Sequence, residues 1–198
     1  MAHDGAVTWA AVILTGGRAQ RLGGTDKASV DHEGRSLLEH ALAAVADAAE
    51  TVVVGPDAET SRPVTFTREV PPGGGPVAGL AAGVAALEGR HEWVVVLAVD
   101  MPHVGAGTVR RLLDAAEEAD AAWLTDADGR RQLLGVVRPS LVPRPEDAAG
   151  AAMRTVMTAG RVRDVPAEGA EAEDVDTWDD LARLRGDDSP DESTPWRT

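Results

Sequence analysis

Near its N-terminus the chain has a glycine-rich segment with three basic side chains. Residues 14–28, LTGGRAQRLGGTDKA, directly follow an apolar run over residues 9–14. A short strand that leads into a glycine-rich loop presents backbone N–H groups at the carboxyl edge of a sheet, where anions bind. Arg18, Arg21 and Lys27 add positive charges that can neutralise a polyphosphate. The segment therefore predicts a nucleoside triphosphate site.

The segment matches neither of two common phosphate-binding loops. A P-loop requires GxxxxGK followed by Ser or Thr, whereas Gly24 is followed by Thr-Asp-Lys. The Rossmann fingerprint requires GxGxxG after the strand, but Gly16 and Gly17 are adjacent and no third glycine stands at the required offset. A different type of nucleotide loop is therefore indicated.

A second candidate for chemistry is Asp100, which follows the most apolar run of the chain, WVVVLAV over residues 93–99. Such a run is typical of a central parallel strand that is covered on both faces. Ligands of parallel α/β sheets bind at the carboxyl ends of the strands, where both the glycine-rich segment and Asp100 fall. A carboxylate at that edge can hold Mg²⁺ beside a nucleotide. The alternative is that Asp100 only caps the next turn.

Together these features resemble the signature of the nucleotidyltransferases typified by the molybdenum cofactor guanylyltransferases, approximately L-A-G-G-x-x-x-R-M-G-x-D-K. This chain has Thr15 in place of the alanine and Leu22 in place of the methionine. The doubled glycine and the Asp-Lys pair resemble the guanylyl branch, since cytidylyl relatives more often carry Ala-Ala-Gly. The resemblance extends from Ala10 to about Leu184. The retained positions of this signature are Leu14, Gly16, Gly17, Arg21, Gly23 or Gly24, Asp26 and Lys27.

The resemblance implies a metal site. Asp100 occupies the aspartate position of the family's C-D-x-P motif, which ligates the metal. The sequence DVDTWDDL over residues 174–181 resembles the family's C-terminal motif. By that resemblance Asp176 approaches the same metal from the opposite side, while Asp174 supports it or contacts the second substrate. The alternative is that Asp174 and Thr177 only cap a helix.

The resemblance also implies how the nucleotide is recognised. The sequence GGGPVAGLAAGVAAL over residues 73–87 resembles the family's G-P-L-A-G loop and helix. Gly75 and Gly79 there allow close approach of the backbone to the nucleotide. Glu69, just before this loop, can accept hydrogen bonds from guanine N1–H and N2–H, a donor pattern that cytosine does not offer.

The implied reaction transfers GMP from GTP to the phosphate of molybdenum-bound molybdopterin and releases pyrophosphate. Mg²⁺ on Asp100, or Mn²⁺ in its place, would neutralise charge together with Arg21 and Lys27 on the departing pyrophosphate. Gln132 resembles part of the family's Q-P-L segment and would contact nucleotide or acceptor, and Arg131 would help to hold the acceptor phosphate. The resemblance also implies molybdenum-insertion and molybdoenzyme-maturation proteins as partners.

Three alternatives remain open at this point. The first is a cytidylyltransferase that acts on the same pterin. The second is a sugar-phosphate or phospholactate nucleotidyltransferase. The third is a non-catalytic protein that binds a nucleotide and docks a partner.

Composition excludes several other classes of protein. There is no cysteine, which excludes disulfides, zinc–thiolate sites and a cysteine nucleophile. The net charge of −14 argues against a nucleic-acid partner, which requires a basic surface. No run approaches the ~20 apolar residues of a membrane span, and no secretory signal is visible. We therefore expect a cytoplasmic protein.

The order of elements predicts a three-layer α/β/α sandwich with a mostly parallel central sheet, a Rossmann-like nucleotidyltransferase fold. We expect a flexible extension over residues 1–8, the nucleotidyltransferase domain over 9–185 and a disordered acidic tail over 186–198. The predicted strands cover residues 9–14, 51–54, 64–67, 93–99, 121–125, 133–137 and 162–165. The predicted helices cover residues 37–48, 79–87, 108–119, 148–159 and 177–184.

Overall fold

A seven-stranded sheet forms the centre of the part of the chain that the computed structural model describes, residues 8–16, 27–175 and 180. The strands of the described residues are β1 (Trp9–Leu14), β2 (Asp31–His32), β3 (Arg35–Ser36), β4 (Glu50–Val54), β5 (Thr65–Thr67), β6 (Trp93–Ala98), β7 (Ala121–Thr125), β8 (Arg131–Val137) and β9 (Val162–Pro166). The α-helices are α1 (Leu37–Ala44), α2 (Pro76–Ala85), α3 (Ala106–Ala116), α4 (Pro145–Ala148) and α5 (Met153–Met157). Strands β2 and β3 form a separate antiparallel pair.

The strand order of the large sheet is β5-β4-β1-β6-β8-β7-β9. All its neighbouring pairs are parallel except those of β8, which runs antiparallel to both β6 and β7. The prediction of a mostly parallel sheet is confirmed. Because β8 is antiparallel, its first residues lie at the same edge of the sheet as the carboxyl ends of β1 and β6.

The two faces of the sheet are covered by different helices. Alternate residues of a strand point to opposite faces, so Ala11 and Ile13 face one layer while Val12 and Leu14 face the other. Helices α1 and α3 cover the first face, and α2, α4 and α5 cover the second. The predicted three-layer sandwich is therefore confirmed. No helix among the described residues is long and apolar enough to cross a membrane.

Helix α1 begins where the sequence predicts and ends earlier. Ser36 is its N-cap, and its hydroxyl oxygen accepts a hydrogen bond from the Glu39 N–H at 3.2 Å. The helix ends at Ala44, four residues before the predicted end. The Arg62 guanidinium donates hydrogen bonds to the carbonyl oxygens of Val45 and Ala46, which satisfies acceptors that a longer helix would have used.

The predicted helix over residues 148–159 is wrong, because two short helices replace it. Helix α4 ends at Ala148 and α5 begins at Met153. Between them Gly150 adopts a φ of +74°, which interrupts a helix. The Gly150 N–H donates to the Gly74 carbonyl oxygen at 2.9 Å. The break therefore attaches this part of the chain to the glycine-rich loop before α2.

The outermost segments of the predicted domain division remain predictions. Residues 1–7 and 181–198 lie outside the described residues, so the structure does not test the extension or the acidic tail. The helix predicted over residues 177–184 also falls mainly outside them.

Within the described part, β1 and β7 have the predicted bounds. Helix α2 begins three residues earlier than predicted, because Pro76 suits the first turn of a helix.

Thr15, one of the two departures from the family signature, is accommodated by the glycine that directly follows the neighbouring strand β4. Its side chain is buried, and its hydroxyl donates to the Val54 carbonyl oxygen at 3.0 Å. Gly55 follows Val54, and a Cβ atom at Gly55 would overlap with Thr15 Oγ1. A threonine at position 15 therefore requires glycine at position 55.

We predict that Gly55→Ala lowers the free energy of unfolding by about 1–3 kcal/mol, because the added methyl group displaces the Thr15 hydroxyl from a closely packed site. The double variant Thr15→Ala with Gly55→Ala should lose less stability than the sum of the two single variants. Urea denaturation followed by circular dichroism measures all three. Additive losses would contradict the contact.

Candidate functional site

A cavity of about 490 Å³ opens at the carboxyl ends of β1 and β4. Leu14 and Val54, the last residues of these strands, form part of its wall. Five lining residues are ones that the sequence analysis predicted to bind the nucleotide. These are Leu14, Gly16, Glu69, Gly75 and Gly79, which come from the end of β1, the residues after β5 and the start of α2.

Glycines shape the wall of this cavity that α2 provides. Gly75 precedes the helix with a φ of +92°, a conformation that favours glycine. A Cβ atom at Gly79 would lie 3.3 Å from Leu14 Cδ2 and 3.6 Å from Val54 Cγ1. Gly79 therefore lets the first turns of α2 lie against the ends of β1 and β4.

Glu69 lies at the mouth of the cavity and is half-buried. Its Oε1 atom accepts a hydrogen bond from the Gly73 N–H at 3.1 Å, which fixes the carboxylate relative to the glycine-rich loop. A carboxylate has about four acceptor positions, so this bond leaves capacity for two donors of a ligand. The arrangement is compatible with the predicted role of Glu69 as a guanine reader.

Lys27 and Asp100 form an ion pair just after the carboxyl end of β6, and neither residue lines the 490 Å³ cavity. Lys27 begins a single 3-10 turn, and its Nζ atom lies 3.0 Å from Asp100 Oδ2. The Lys27 side chain is only 9% exposed and that of Asp100 is 23% exposed. A nearly buried ammonium group requires an anionic partner, because desolvation of an unpaired charge is costly. Two of the three residues predicted to be catalytic are therefore in direct contact.

The end of β6 is held in place from two sides. The Val99 N–H donates to the Leu14 carbonyl oxygen at 3.0 Å, which extends the pairing of β6 with β1. On the other side the Val175 N–H donates to the Asp100 carbonyl oxygen at 2.9 Å. Val175 is fully buried, and its neighbour Asp174 is exposed. The C-terminal segment that contains the predicted Asp174 thus lies beside Asp100.

Arg131 and Gln132 lie at the start of β8, at the same edge of the sheet as Asp100, but neither lines the 490 Å³ cavity. The Arg131 guanidinium donates to the Met157 carbonyl oxygen at 2.6 Å and pairs with Asp164. The Gln132 amide donates to Asp126 Oδ2 at 2.9 Å. Either side chain would have to give up these hydrogen bonds before it could contact the acceptor substrate. The roles of both residues toward the acceptor substrate therefore stay predictions.

Several predicted residues lie outside the described part of the chain. They are Gly17, Arg21 and Asp176, and with them the further signature residues Gly23, Gly24 and Asp26. Their proposed roles therefore stay predictions. Of the other lining residues, Gly73 and Pro76 fall in the segment over residues 73–87 that the sequence analysis singled out. Val54 was missed, and its only signal was its position at the end of a predicted strand.

Asp100 is the described carboxylate that the sequence analysis predicted to bind a divalent metal. Among residues 8–16, 27–175 and 180, no three His, Cys, Asp or Glu side chains are grouped to hold a metal ion. Mg²⁺ in nucleotide enzymes is usually bound through one or two carboxylates, with the remaining ligands from phosphates and water. The Asp100 carboxylate is compatible with a metal site of that kind, and its role as a metal ligand stays a prediction.

Comparison with known proteins gives consistent matches. A family model described as the MobA-like NTP transferase domain matches residues 11–165. A molybdenum cofactor guanylyltransferase from Pseudomonas entomophila is 33% identical over 154 residues, which span 75% of this chain and 80% of that relative. Molybdopterin-guanine dinucleotide biosynthesis protein A from Archaeoglobus fulgidus has a TM-score of 0.70 at 23% identity, with 89% of this chain and 97% of that chain covered. A manganese complex of a Mycobacterium tuberculosis protein has a TM-score of 0.69 at 19% identity, with 90% and 97% covered. The two solved structures share the fold of this chain.

We predict that Lys27→Met weakens GTP binding about tenfold or more, because a hydrogen bond from an ammonium group to a charged partner contributes about 1.5–3 kcal/mol. GMP lacks the β- and γ-phosphates, so its affinity should fall much less. Isothermal titration calorimetry with both nucleotides measures the two changes. Equal losses for GTP and GMP would contradict a role of Lys27 at the pyrophosphate.

Proposed function

Because the chain belongs to the MobA-like NTP transferase family, we propose that it is a guanylyltransferase of molybdenum cofactor biosynthesis. In this proposal it transfers GMP from GTP to the phosphate of molybdenum-bound molybdopterin. The observation that carries the proposal is a cavity lined by the predicted nucleotide residues at the same edge of the sheet as the ion pair of Lys27 and Asp100. Family and fold together make the chain a nucleotidyltransferase.

The proposed reaction is a single displacement at phosphorus. A phosphate oxygen of the acceptor attacks the α-phosphorus of GTP, and a new P–O bond forms as the bond to the bridging oxygen breaks. Pyrophosphate leaves with the electron pair. Such a transfer depends on in-line positioning and on neutralisation of charge, and it requires no covalent intermediate with the protein.

The cavity would hold the nucleoside of GTP. Glu69 supplies a fixed carboxylate for the N1–H and N2–H donors of guanine, since its bond to the Gly73 N–H orients it at the cavity mouth. Gly16 and Gly75 let backbone approach the ligand closely, because neither has a side chain in the way. The phosphates would then extend toward Lys27 and Asp100 at the end of the sheet.

Lys27 and Asp100 would exchange partners when the substrate binds. The Lys27 ammonium group would donate to the pyrophosphate oxygens, and the Asp100 carboxylate would hold a divalent metal. The metal, when bound, neutralises charge on the phosphates. The manganese complex of a protein with the same fold supports a divalent ion, and we propose Mg²⁺ as the physiological one.

Other predicted residues complete the proposal. Arg21 would contact the departing pyrophosphate, Gly17 the nucleotide and Asp176 the metal, while Arg131, Gln132 and Asp174 would serve the acceptor. We also propose that the protein acts in the cytoplasm, where GTP is supplied, and that molybdenum-insertion and molybdoenzyme-maturation proteins are its partners. Support for these partners is the family membership.

The experiment that tests the proposal is pyrophosphate release from GTP and from CTP, each with Mg²⁺ and a molybdopterin-type acceptor. We expect release from GTP and little release from CTP. Release from CTP alone would assign the chain to a cytidylyltransferase and would exclude Glu69 as a guanine reader. Nucleotide binding without release from either would contradict transfer to this acceptor.

We predict that Asp100→Asn leaves a folded protein whose transferase activity falls at least about a hundredfold, because the amide neither carries the charge for a divalent ion nor compensates Lys27. The far-ultraviolet circular dichroism spectrum and the thermal midpoint serve as controls for folding. Wild-type turnover by the folded variant would exclude Asp100 as the metal ligand.

A further inference from the structure

A segment near the C-terminus, residues 167–175, connects the edge strand β9 to the centre of the site. It leaves the sheet where the Ala167 N–H donates to the Thr125 carbonyl oxygen at 2.8 Å. It ends where the Val175 N–H donates to the Asp100 carbonyl oxygen. Asp100 follows β6, which lies two strands away from β7, the strand of Thr125. Between these two points the segment has no helix or strand, so its position depends on side-chain contacts.

Glu171 makes the central contacts of this segment. Its Oε1 atom accepts hydrogen bonds from the Thr108 hydroxyl at 2.6 Å and from Arg111 Nη1 at 3.1 Å. Its Oε2 atom accepts from Arg111 Nη2 at 2.6 Å and from the Glu168 N–H at 2.8 Å. Four donors thus hold one carboxylate, and three of them belong to side chains of α3. The two bonds from Arg111 form a bidentate pair, a geometry to which the guanidinium group is suited.

The anchoring helix is itself rigidly placed. Val109 and Leu112 of α3 are buried in the core that covers the first face of the sheet. The Glu171 side chain is 13% exposed and that of Arg111 is 30% exposed, so water screens the pair only partly. Arg111 also lies 3.4 Å from Glu168, a second carboxylate of the same segment.

The Glu171 carboxyl group is held in its ionised form. Burial by itself would raise its pKa, but the hydrogen bonds from Arg111, the Glu168 N–H and Thr108 outweigh burial, so the pKa is lowered. The hydrogen bond with Glu171 in turn raises the pKa of Arg111. Because the pKa of Glu171 is lower in the folded than in the unfolded state, its ionised form stabilises the fold at every pH above the unfolded-state pKa. This contribution is lost as the pH falls through the lowered, folded-state pKa. The anchor is therefore fully formed at neutral pH.

We propose that Glu171 is a positioning residue of the transferase site, which acts through residues 172–175 on Asp100. The carboxylate fixes the segment on α3, and the segment in turn fixes Asp100 through the hydrogen bond from Val175. This inference rests on the proposed function, since it assumes that Asp100 binds the metal beside the nucleotide. Groups that orient a metal ligand affect metal affinity or activity about 10–100-fold when they are changed.

The proposal separates metal binding from nucleotide binding. The nucleotide cavity lies on the face of the sheet that α2 covers, whereas Val175 belongs to the core under α1 and α3. A change at Glu171 should therefore alter the metal requirement and kcat. The KM for GTP should change little, since the walls of the nucleotide cavity do not include this segment.

The test compares Glu171→Gln with a matched control, Glu50→Gln. Glu50 also accepts hydrogen bonds from the backbone N–H groups of Glu88 and Gly89 and from the His91 side chain. It begins β4 and so lies at the opposite end of that strand from the cavity. Both variants should lose stability. We expect that in Glu171→Gln the Mg²⁺ concentration for half-maximal pyrophosphate release rises about tenfold, while Glu50→Gln keeps the wild-type value.

Two readouts do not depend on activity. The first is the exchange rate of the Val175 amide proton, measured by nuclear magnetic resonance, which should rise about tenfold in Glu171→Gln beyond any change in Glu50→Gln. The second is an electron paramagnetic resonance titration with Mn²⁺ in the presence of GTP, in which Glu171→Gln should bind the ion more weakly. If the wild-type protein releases no pyrophosphate, the proposed function fails, whereas these two readouts still decide the role of Glu171.

Equal changes in Glu171→Gln and Glu50→Gln would overturn the proposal, because a purely structural carboxylate would produce them. If Glu171→Gln does not fold, Arg111→Lys replaces it in all three measurements. Lysine keeps the positive charge but cannot form the paired hydrogen bonds, so smaller changes in the same direction are expected. An Arg111→Lys variant with wild-type Val175 exchange and metal requirement would overturn the proposal equally.

Discussion

The parallel pairing of β1 with β6 is the constraint on which the site depends. The two strands run in register from Trp9 opposite Trp93 to Leu14 opposite Ala98, so they end at the same level. Val99, the first residue after β6, donates its N–H to the Leu14 carbonyl oxygen at the end of β1. Gly16, which we propose to contact the nucleotide, and Asp100, which we propose to bind the metal, therefore follow strands that end at the same level of the sheet. A shift of one residue would also turn every side chain of β1 to the opposite layer.

Charge compensation is the second theme of the site. A chain with a net charge of −14 repels a triphosphate at long range, so binding relies on local positive groups and on backbone amides. Lys27 is nearly buried and satisfied by Asp100. In the proposed exchange, Lys27 would gain the phosphates and Asp100 the metal ion, so each would take a new partner of the same sign as the one that it gives up. Each charge would then keep an oppositely charged partner, which limits the desolvation cost of binding.

Local signals in the sequence predicted local structure well. Contacts between residues that are distant in the chain could not be predicted in this way. The bounds of β1 and β7 follow from short apolar runs, and the start of α1 follows from Ser36 and Glu39. The separation of α4 from α5 does not follow from composition, because alanine-rich sequence favours helix and the break depends on a bond from Gly150 to a distant glycine.

The same distinction applies to the site. The glycines were found because each lies in a contiguous motif, and Glu69 because it lies just before one of these motifs; the structure groups them around one cavity. The ion pair of Lys27 with Asp100 and the anchoring of Glu171 by Arg111 join residues that are far apart in the chain. A single sequence contains no signal for such pairs, and only the folded sheet shows that their partners are adjacent.

The contact of Thr15 with Gly55 couples the side chains that the two positions can hold. A Cβ atom at position 55 would overlap with Thr15 Oγ1, and it would lie only 3.2 Å from the Cβ atom of residue 15. A side chain at position 55 therefore fits only when the residue at position 15 is small and the neighbouring backbone moves slightly. In protein engineering, the two positions have to be varied together, because a library that changes one of them alone would sample mainly strained variants at the end of β1.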